Sequence, residues 1–253
     1  MQVKVVLPMY NVEKWISTTY GSLQKQTYTD FQAYFLDDCS TDKTIEKIKL
    51  LSKDDSRINI VCNIERRFSM GNLWINLKNI VNENDFIVII DGDDWFYNKH
   101  VLEKIVSKAR EGYDFIHGQF MEYPKMIIVD EGSYSEDVIK NKSYRKDRWR
   151  CSGIRAFKGS LWNKIAIDQV TENDTFYEFT ADQAYTYPLL ENSEGKIYRF
   201  EEPIHVYNRM NPINDDKVSR KKQFETELKI RNITAKEMAE IMRNDNLKLS
   251  RKI

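Results

Sequence analysis

Three carboxylates within four residues, Asp91, Asp93 and Asp94, come directly after the apolar run Phe86–Ile90. The run has no polar residue at alternate positions, which is typical of a strand buried on both faces of a sheet. Carboxylates gathered at one strand end repel one another. A divalent cation such as Mg²⁺ or Mn²⁺ would relieve that repulsion, because these ions prefer oxygen ligands. An acidic, solvated turn is the other interpretation of this short segment.

Two other predicted strands end in groups that could hold a nucleotide base. Tyr10 follows the first strand and offers a ring for stacking, and Asp38 follows the second strand. A carboxylate at that place could accept a hydrogen bond from an imide N–H such as that of uracil. The sequence contains no glycine-rich phosphate loop of the P-loop or Rossmann type. We therefore expect a cation and side chains to hold the phosphates of a bound nucleotide.

The elements that position these residues alternate between strand and helix over the first half of the chain. The predicted strands are Val3–Leu7, Phe31–Leu36, Ile58–Cys62, Phe86–Ile90 and Tyr113–His117. The predicted helices cover Asn11–Gln26, a segment after residue 42, a segment around Met70–Val81 and a segment capped by Asn98. Repeated β-α units predict a mostly parallel sheet with right-handed crossovers.

Charge is balanced over the whole chain but segregated along it. The 253 residues include 39 Lys and Arg and 39 Asp and Glu, which gives no overall bias toward nucleic acid or membranes. Residues 140–164 carry nine basic residues and one acidic residue, formally +8, and residues 217–253 carry eleven and five, formally +6. Apolar residues of the second segment repeat at helical spacing, so we predict one or two amphipathic helices packed on the domain.

Composition also bears on the compartment. The three cysteines form no CxxC pair and are odd in number, which fits a reducing cytosol. The N-terminus shows no signal-peptide pattern, and no segment approaches the roughly 20 apolar residues of a membrane span. We therefore expect a cytoplasmic protein without a transmembrane segment.

Three stretches, in this order, resemble motifs of glycosyltransferase family 2: VVLPMYNVEKWI at residues 5–16, FLDDCSTDKT at residues 35–44 and VIIDGDDW at residues 88–95. The resemblance extends over roughly residues 3–115. It implies the GT-A fold, an α/β domain with a Rossmann-like, mostly parallel sheet flanked by helices. The C-terminal helical tail predicted from the apolar spacing would follow that domain.

The resemblance divides the chain by function. We expect the nucleotide sugar to bind to residues 1–118 and the acceptor to bind to residues 119–216, which would also carry the catalytic base. Residues 217–253 would form the helical tail.

The family resemblance implies a metal-dependent, inverting transfer of a sugar from a nucleotide sugar, usually a UDP-sugar, to an acceptor hydroxyl, with Mn²⁺ or Mg²⁺ as cofactor. The residues that match donor-binding positions are Pro8, Tyr10, Asn11, Glu13, Asp38, Arg67, Asp91, Gly92 and Asp93. Among them Asp38 would meet the base and Asp91 would lie near the ribose. Arg67, in a helix that matches the family only loosely, would contact phosphate. Asp93 or Asp94 would hold the metal.

The second half of the chain matches the family more thinly. Asp182 fits the family's catalytic-base aspartate, although Ala181 departs from the usual Glu-Asp pair. Glu178 and Asp174 are the other candidates for the base, and a helix cap is the structural alternative for Asp182. His205 lies where related enzymes bring a histidine toward the metal, and a purely structural histidine is the alternative there.

The basic run at residues 140–164 lies where such enzymes build the acceptor side, and we predict acceptor contacts from Trp149, Arg150 and Arg155. The resemblance implies a polysaccharide or a lipid-linked glycan as acceptor, and a basic face could also contact an anionic membrane peripherally. DNA with a hydroxylated base, as in viral enzymes that act in the host cytoplasm, is an alternative, because cations interleaved with aromatic rings suit phosphates and bases. A solvated loop is a further interpretation.

Functions of other classes share parts of this pattern. A nucleotide-sugar-binding module without transferase activity would use the donor residues but would not need Asp182. A nucleotidyltransferase would carry a glycine-rich loop with a basic residue after the first strand, which residues 8–11, PMYN, lack. A metal-dependent phosphohydrolase would use the carboxylates without an acceptor.

Overall fold

The computed structural model describes residues 1–250, with side chains described through Asn244; residues 251–253 of the predicted tail lie outside the described part. The strands are β1 Val3–Met9, β2 Phe31–Asp37, β3 Ile58–Cys62, β4 Phe86–Ile89, β5 Trp95–Phe96, β6 Phe115–Tyr123, β7 Ile127–Val129, β8 Arg155–Lys158, β9 Thr171–Glu172, β10 Thr175–Phe176 and β11 Ile197–Asn208. The helices are α1 Ile16–Gln24, α2 Thr44–Leu51, α3 Phe68–Ile80, α4 Val101–Arg110, α5 Glu136–Lys140, α6 Gly159–Trp162, α7 Ala181–Asn192, α8 Asp215–Arg231 and α9 Ala235–Ser250. Each strand and helix predicted for the first half is present.

The main sheet has the strand order β3-β2-β1-β4-β8-β6-β11-β5, and β7 pairs with β6. Strands β3, β2, β1 and β4 run parallel, as the β-α repeats predict. β8 enters antiparallel between β4 and β6, so the strand predicted to continue the parallel series is not the neighbour of β4. The sheet is therefore mixed beyond β4. A local sequence pattern could not indicate this, because β8 is far from both of its partners along the chain.

β4 is buried on both faces, as its uninterrupted apolar run predicts. Phe86 and Val88 pack into a core layer shared with α1, α2 and α4, whereas Ile87 and Ile89 pack into a second layer shared with α3 and α7. Each such side chain stabilises the fold by about 1.5–3 kcal/mol when it is fully buried. The carboxylates that follow β4 are thus attached to a strand that is buried at every position.

Backbone hydrogen bonds join the end of β1 to the segments that follow β2 and β4. The amide of Gly92 donates to the carbonyl of Pro8 at 2.9 Å, and the amide of Asp38 donates to the carbonyl of Met9 at 2.9 Å. These parallel strands point the same way, so their carboxyl ends meet at one edge of the sheet, where ligands of open α/β folds bind.

The two halves predicted from the sequence share one sheet. β6 crosses the predicted boundary at residue 118 and pairs with β11 over its length. α8 begins at Asp215, two residues before the predicted tail, and Ile230 near its end is buried in the core layer of α7. Across residues 1–250 the helices are all too short or too polar to cross a bilayer.

Candidate active site

A cleft of about 480 Å³ opens at the carboxyl ends of β1, β2 and β4, and the starts of α7 and α8 form its opposite wall. The sequence-predicted residues that line it are Pro8, Tyr10, Asp38, Asp91, Asp93, Trp149, Arg155, Glu178 and Asp182. The predicted residues that lie outside its wall are Asn11, Glu13, Arg67, Gly92, Asp94, Arg150, Asp174 and His205. The fold therefore brings candidate donor-binding residues, candidate catalytic bases and candidate acceptor-binding residues from distant parts of the chain to one cavity.

Arg66 lies close to both residues that are candidates for binding the nucleotide base, Tyr10 and Asp38. The guanidinium carbon of Arg66 lies 3.6 Å from the centre of the Tyr10 ring, and its Nε lies 4.0 Å from Oδ2 of Asp38. The side chain of Arg67 instead forms a salt bridge with Glu65 at 2.5 Å. Only the backbone amide of Arg67 serves the site, because it donates to Oδ1 of Asp38 at 2.8 Å. The arginine that reaches the cleft is thus Arg66, which corrects the prediction by one position.

A group of side-chain amides holds Asp38 in place. Nδ2 of Asn63 donates to Oδ1 of Asp38 at 2.9 Å and to Oδ1 of Asn72 at 3.0 Å. Asn72 and Asn76 lie one turn apart on α3, and Nδ2 of Asn76 donates to Oδ1 of Asn72 at 2.9 Å. A buried carboxylate is costly unless donors surround it, so this network prepares Asp38 to accept a further hydrogen bond.

Asn11 and Glu13 connect the loop after β1 to the loop after β2. Oδ1 of Asn11 accepts from the amide of Thr41 at 2.7 Å, and Oε2 of Glu13 accepts from the amide of Lys43 at 2.8 Å. Asn11 has a φ of 51°, in the left-handed region that Asn adopts more readily than most residues. Both side chains therefore shape the end of the cleft near Tyr10 without lining it.

Asp91 and Asp93 are the carboxylates of the DGDD segment that face the cleft. Burial raises the pKa of both carboxyls, and the adjacent charges of Asp94 and Asp91 raise the pKa of Asp93 further. Nδ2 of Asn211 donates to Oδ2 of Asp93 at 2.8 Å, and Asn211 also lines the cleft. Among the side chains described through Asn244, no three of His, Cys, Asp or Glu converge to bind a metal by themselves. This donor set fits a cation shared with substrate phosphates, which is the usual arrangement for Mg²⁺.

Asp94 and His205 form a buried pair behind the wall of the cleft. Nε2 of His205 lies 2.8 Å from Oδ2 of Asp94, and Oδ1 of Asp94 accepts from the amide of Asn208 at 2.7 Å. Burial lowers the pKa of His205 to about 3, so its ring is neutral. These contacts occupy both oxygens of Asp94. Of the three residues predicted to hold the metal, only Asp93 faces the cleft, and the side chain beside it is Asn211.

Gly92 determines how closely the DGDD segment approaches β1. A Cβ atom at this position would lie 2.5 Å from Cβ of Met9. Oγ1 of Thr19 donates to the carbonyl of Gly92 at 3.0 Å from the other side. The glycine is therefore required for packing.

Asp182 lies in the first turn of α7. Oδ2 of Asp215 accepts from the amide of Thr180 at 2.9 Å, so Asp215 helps to hold the start of α7. The side chain of Asp182 is 36% exposed, and its Oδ2 lies 3.9 Å from Nη2 of Arg155. Burial raises the pKa of Asp182, and the charge of Arg155 opposes that rise. A carboxylate with these properties in a cleft is suited to accept a proton.

The two other candidates for the base lie farther out. Glu178 is exposed where it borders the cleft, in the segment before α7. Asp174 lies in the turn between β9 and β10 with a φ of 62°, and it is exposed outside the cleft. The geometry therefore favours Asp182.

Trp149 and Arg155, the two candidates for acceptor contacts beside Arg150, line the cleft. The ring of Trp149 packs edge-on against Tyr187 of α7, with 5.3 Å between ring centres. Arg155 is 5% exposed, and its Nη1 donates to the hydroxyl of Tyr185 at 3.3 Å. The contact with Tyr187 fixes the ring of Trp149, which presents an aromatic face to the cleft. Arg155 is buried and forms part of the cleft wall.

Two other arginines of the basic run stabilise the fold. Nε of Arg150 donates to Oδ2 of Asp147 at 3.0 Å, and its Nη1 donates to the carbonyl of Glu131 at 2.7 Å. Arg145 donates to both carboxylate oxygens of Glu191, at 2.6 and 3.1 Å. The high formal charge of this run is therefore partly neutralised inside the protein.

Among the cleft residues to which the sequence assigned no individual role are Arg66, Asn211 and Asp215. Arg66 was indistinguishable from Arg67 because two adjacent arginines precede a helix without a pattern that separates them. Asn211 and Asp215 lie in a turn-rich segment, where no periodicity assigns a direction to any side chain. Polar residues grouped with a proline in that segment were the only available signal.

A family model described as glycosyl transferase family 2 matches residues 4–160. The chain belongs to this family. The matched part contains the cleft residues that follow β1, β2 and β4, together with Arg155 on β8.

Relatives with assigned activities transfer sugars to several acceptors. The chain is 32% identical over 175 residues to UDP-Glc:alpha-D-GlcNAc-diphosphoundecaprenol beta-1,3-glucosyltransferase WfgD of Escherichia coli, covering 69% of this chain and 67% of that protein. It is 32% identical over 106 residues to the poly(ribitol-phosphate) beta-N-acetylglucosaminyltransferase TarS of Staphylococcus aureus, covering 41% and 18%. It is 28% identical over 183 residues to a GalNAc(5)-diNAcBac-PP-undecaprenol beta-1,3-glucosyltransferase of Campylobacter jejuni, covering 70% and 56%. The matches thus span from about a fifth to two thirds of these relatives.

Solved structures share the fold. S. aureus TarS 1–349 in complex with UDP-GlcNAc has a TM-score of 0.64 at 18% identity, covering 91% of this chain and 65% of that chain. Glucosyl-3-phosphoglycerate synthase from Mycobacterium tuberculosis, in complex with Mn²⁺, UDP and glucosyl-3-phosphoglycerate, has a TM-score of 0.56 at 17% identity, covering 92% and 81%. The protein is therefore a family 2 glycosyltransferase with the GT-A fold.

Proposed function

We propose that this glycosyltransferase moves a sugar from a UDP-sugar to a hydroxyl of a polysaccharide or lipid-linked glycan, with inversion at the anomeric carbon and with Mn²⁺ or Mg²⁺ as cofactor. The observation that carries the proposal is that Asp182 faces the same cleft as Asp91 and Asp93, and that Tyr10 and Asp38 line that cleft too. The same cleft is therefore lined by a candidate proton acceptor, a candidate site for the diphosphate and a candidate site for the nucleotide base.

The donor would lie along the carboxyl ends of β1, β2 and β4. The ring of Tyr10 supplies the stacking face for the base, and Asp38 accepts a hydrogen bond from the imide N–H of uracil. Asp91 lies near the ribose. Arg66 lies 4.0 Å from Asp38, so its positive charge is next to the nucleotide-base site, from which the phosphates of the donor would extend.

Asp93 would hold the cation together with the donor diphosphate, with Asn211 beside it. When bound, the cation neutralises the charge that develops on the leaving diphosphate. Burial and two neighbouring carboxylates destabilise the charged form of Asp93 in the protein alone. A cation would remove that penalty, because opposite charge favours an ionised carboxylate.

The chemistry is a single displacement. Asp182 takes the proton from the acceptor hydroxyl while its oxygen forms a bond to the anomeric carbon, and the bond from that carbon to the diphosphate oxygen breaks. One displacement inverts the carbon. The name of the E. coli relative supports this outcome, because it specifies UDP-glucose, which is an α-glycoside, and a β-1,3-linked product.

The acceptor proposal rests on the same relatives, whose names specify undecaprenol diphosphate glycans or poly(ribitol phosphate). Trp149 and Tyr207 supply aromatic faces in the cleft that suit the apolar side of a sugar ring. The DNA hypothesis is not favoured, because Arg145 and Arg150 of the basic run are bound within the protein.

The test combines a donor screen with a transfer assay. Thermal unfolding would be followed with UDP-, GDP- and dTDP-sugars, each with and without Mn²⁺, because a ligand that binds only the folded state raises Tm. We expect a UDP-sugar with Mn²⁺ to give the largest increase. Transfer of the labelled sugar to a lipid diphosphate glycan would then support the proposal.

Three results would contradict it. Transfer to hydroxymethylated DNA would replace the acceptor class. Release of phosphate without transfer would indicate a phosphohydrolase. Donor binding without transfer to any acceptor, in a protein whose activity does not change in Asp182→Asn, would indicate a binding module.

A further inference from the structure

Arg155 carries a buried charge at the centre of the cleft. It opens β8, which lies antiparallel to β4, and it is paired with Ile89, two residues before Asp91. Its side chain is 6% exposed, and its charge acts on both Asp91 and Asp182. Burying a guanidinium costs several kcal/mol unless nearby groups compensate, so the fold maintains this charge at an energetic expense.

Three contacts fix the guanidinium of Arg155. Nε donates to the carbonyl of Cys151 at 3.3 Å, and Nη1 donates to the hydroxyl of Tyr185 at 3.3 Å. Nη2 lies 3.9 Å from Oδ2 of Asp182. That separation is too long for a hydrogen bond but well within the range in which an opposite charge stabilises a carboxylate. Arg155 therefore attracts Asp182 without occupying the lone pairs that a base needs.

Asp182 otherwise has mostly acidic surroundings. The titratable and charged groups that act on it or face it are Asp91 after β4, Cys151 before β8, Arg155 on β8, Tyr185 and Tyr187 on α7, and Asp215 and Glu227 on α8. The charge of Glu227 raises the pKa of Asp182, and burial raises the pKa of Asp215 to about 6. Arg155 is the cation of this group, and its charge lowers the pKa of Asp182. The backbone amides of Gln183 and Asp182 donate to the carboxylate and lower its pKa as well, and Arg231 pairs with Glu227 at 2.8 Å.

We propose that Arg155 is a positioning residue for the base: it keeps Asp182 ionised and open to the acceptor, and it does not itself bind the acceptor. The inference rests on the proposed function, in which Asp182 accepts the proton. It replaces the acceptor-binding role that the sequence alone indicated for Arg155.

The first test is the pH dependence of UDP release from UDP-glucose with Mn²⁺, with water in place of the acceptor. Arg155→Met and Arg155→Gln remove the charge, so the acid limb of the rate profile moves up by about 1–3 pH units. UDP release at pH 6 falls at least about tenfold, and it recovers as the pH rises. Arg155→Lys retains the charge and keeps the limb near that of the wild type. Arg57→Met is the matched control, because Arg57 pairs with Asp55 at 2.7 Å outside the cleft.

The second test needs no turnover, so it separates failure of this inference from failure of the proposed function. The protein is labelled with ¹³C-aspartate, and the carboxyl NMR signal of Asp182 is identified as the one that is missing in Asp182→Asn. The chemical shift of this signal is then followed against pH in the wild type and in the Arg155 variants. We expect its midpoint to rise in Arg155→Met and Arg155→Gln only. An unchanged midpoint, or a rate loss that is equal at every pH, would overturn the inference. So would an increase in the acceptor KM with an unchanged pH profile. Wild-type protein that releases no UDP would instead count against the proposed function.

Discussion

Nδ2 of Asn211 lies 2.8 Å from Oδ2 of Asp93, although 118 residues separate the two in the sequence. The hydrogen bond joins the segment after β11 to the segment after β4, and both side chains line the cleft. We propose that Asp93 of this pair holds the shared cation and that Asn211 orients its carboxylate.

The first prediction concerns that pair. Asp93→Asn removes the charge that would balance the cation, so donor affinity and rate fall together, and EDTA abolishes turnover without unfolding the protein. Asn211→Ala leaves Asp93 less well oriented, and we expect Mn²⁺ to bind about 10–100-fold more weakly in the presence of UDP. Calorimetric titration of UDP with and without Mn²⁺ measures both effects. Full activity of Asp93→Asn in EDTA would exclude the assignment.

The second prediction concerns the base. Asp182→Asn keeps the size of the side chain but cannot accept the proton, so we expect the transfer rate to fall by about 10²–10⁴ with UDP-sugar affinity almost unchanged. Asp174→Asn is the control, because Asp174 is exposed outside the cleft. If Asp182→Asn is fully active, Glu178 becomes the candidate.

The third prediction distinguishes two adjacent arginines. Arg66→Ala removes the guanidinium that lies over Tyr10, so we expect UDP to bind about tenfold more weakly, the size of one charge-assisted contact. Arg67→Ala breaks only the salt bridge to Glu65, so UDP affinity should stay within about twofold. Equal losses in both variants, measured by calorimetry, would contradict the assignment of Arg66.

The fourth prediction uses two glycines. Gly92→Ala would bring a Cβ to 2.5 Å from Cβ of Met9, so we expect the free energy of unfolding to fall by about 1–3 kcal/mol. Gly21 in α1 has no neighbouring atom within 4 Å of an added Cβ. Gly21→Ala should therefore stabilise the protein by about 0.5–1 kcal/mol, since alanine is the better helix former. Urea unfolding of both variants measures the contrast.

The fifth prediction concerns acid stability. Burial, aided by the charges of Arg199 and Arg150, lowers the pKa of His117 to about 3, whereas an unfolded chain has a histidine pKa of about 6.5. The unfolded state therefore binds more protons between these values. The stability associated with neutral His117 is complete above pH 6.5 and is lost as the pH falls toward 3, by about 1.4 kcal/mol per pH unit.

Replacing His117 with Phe should remove this dependence. Between pH 7 and pH 5, we expect the wild type to lose roughly 2 kcal/mol more of its unfolding free energy than His117→Phe loses. The exposed His100, changed to Phe, is the control and should behave as the wild type does. Parallel losses in all three proteins would show that His117 does not control acid stability.

Local sequence patterns determined the elements and part of the cleft. The apolar run before Asp91 predicted a strand buried on both faces, because burial on two sides excludes polar residues at every position. Asp38 and Tyr10 were identified because the carboxyl ends of parallel strands meet at one edge, which requires only the order of the strands. Asp182 was identified by the family resemblance, which implies a base aspartate at the start of a helix.

Tertiary structure alone decided which of these side chains meet. β8 enters the sheet between β4 and β6, and this pairing buries Arg155 beside Asp182, a contact that no local periodicity encodes. His205 pairs with Asp94 over 111 residues, and Asn211 takes the place beside Asp93. Contacts between distant residues depend on how the strands and loops pack together, and the sequence pattern of a single element carries no information about them.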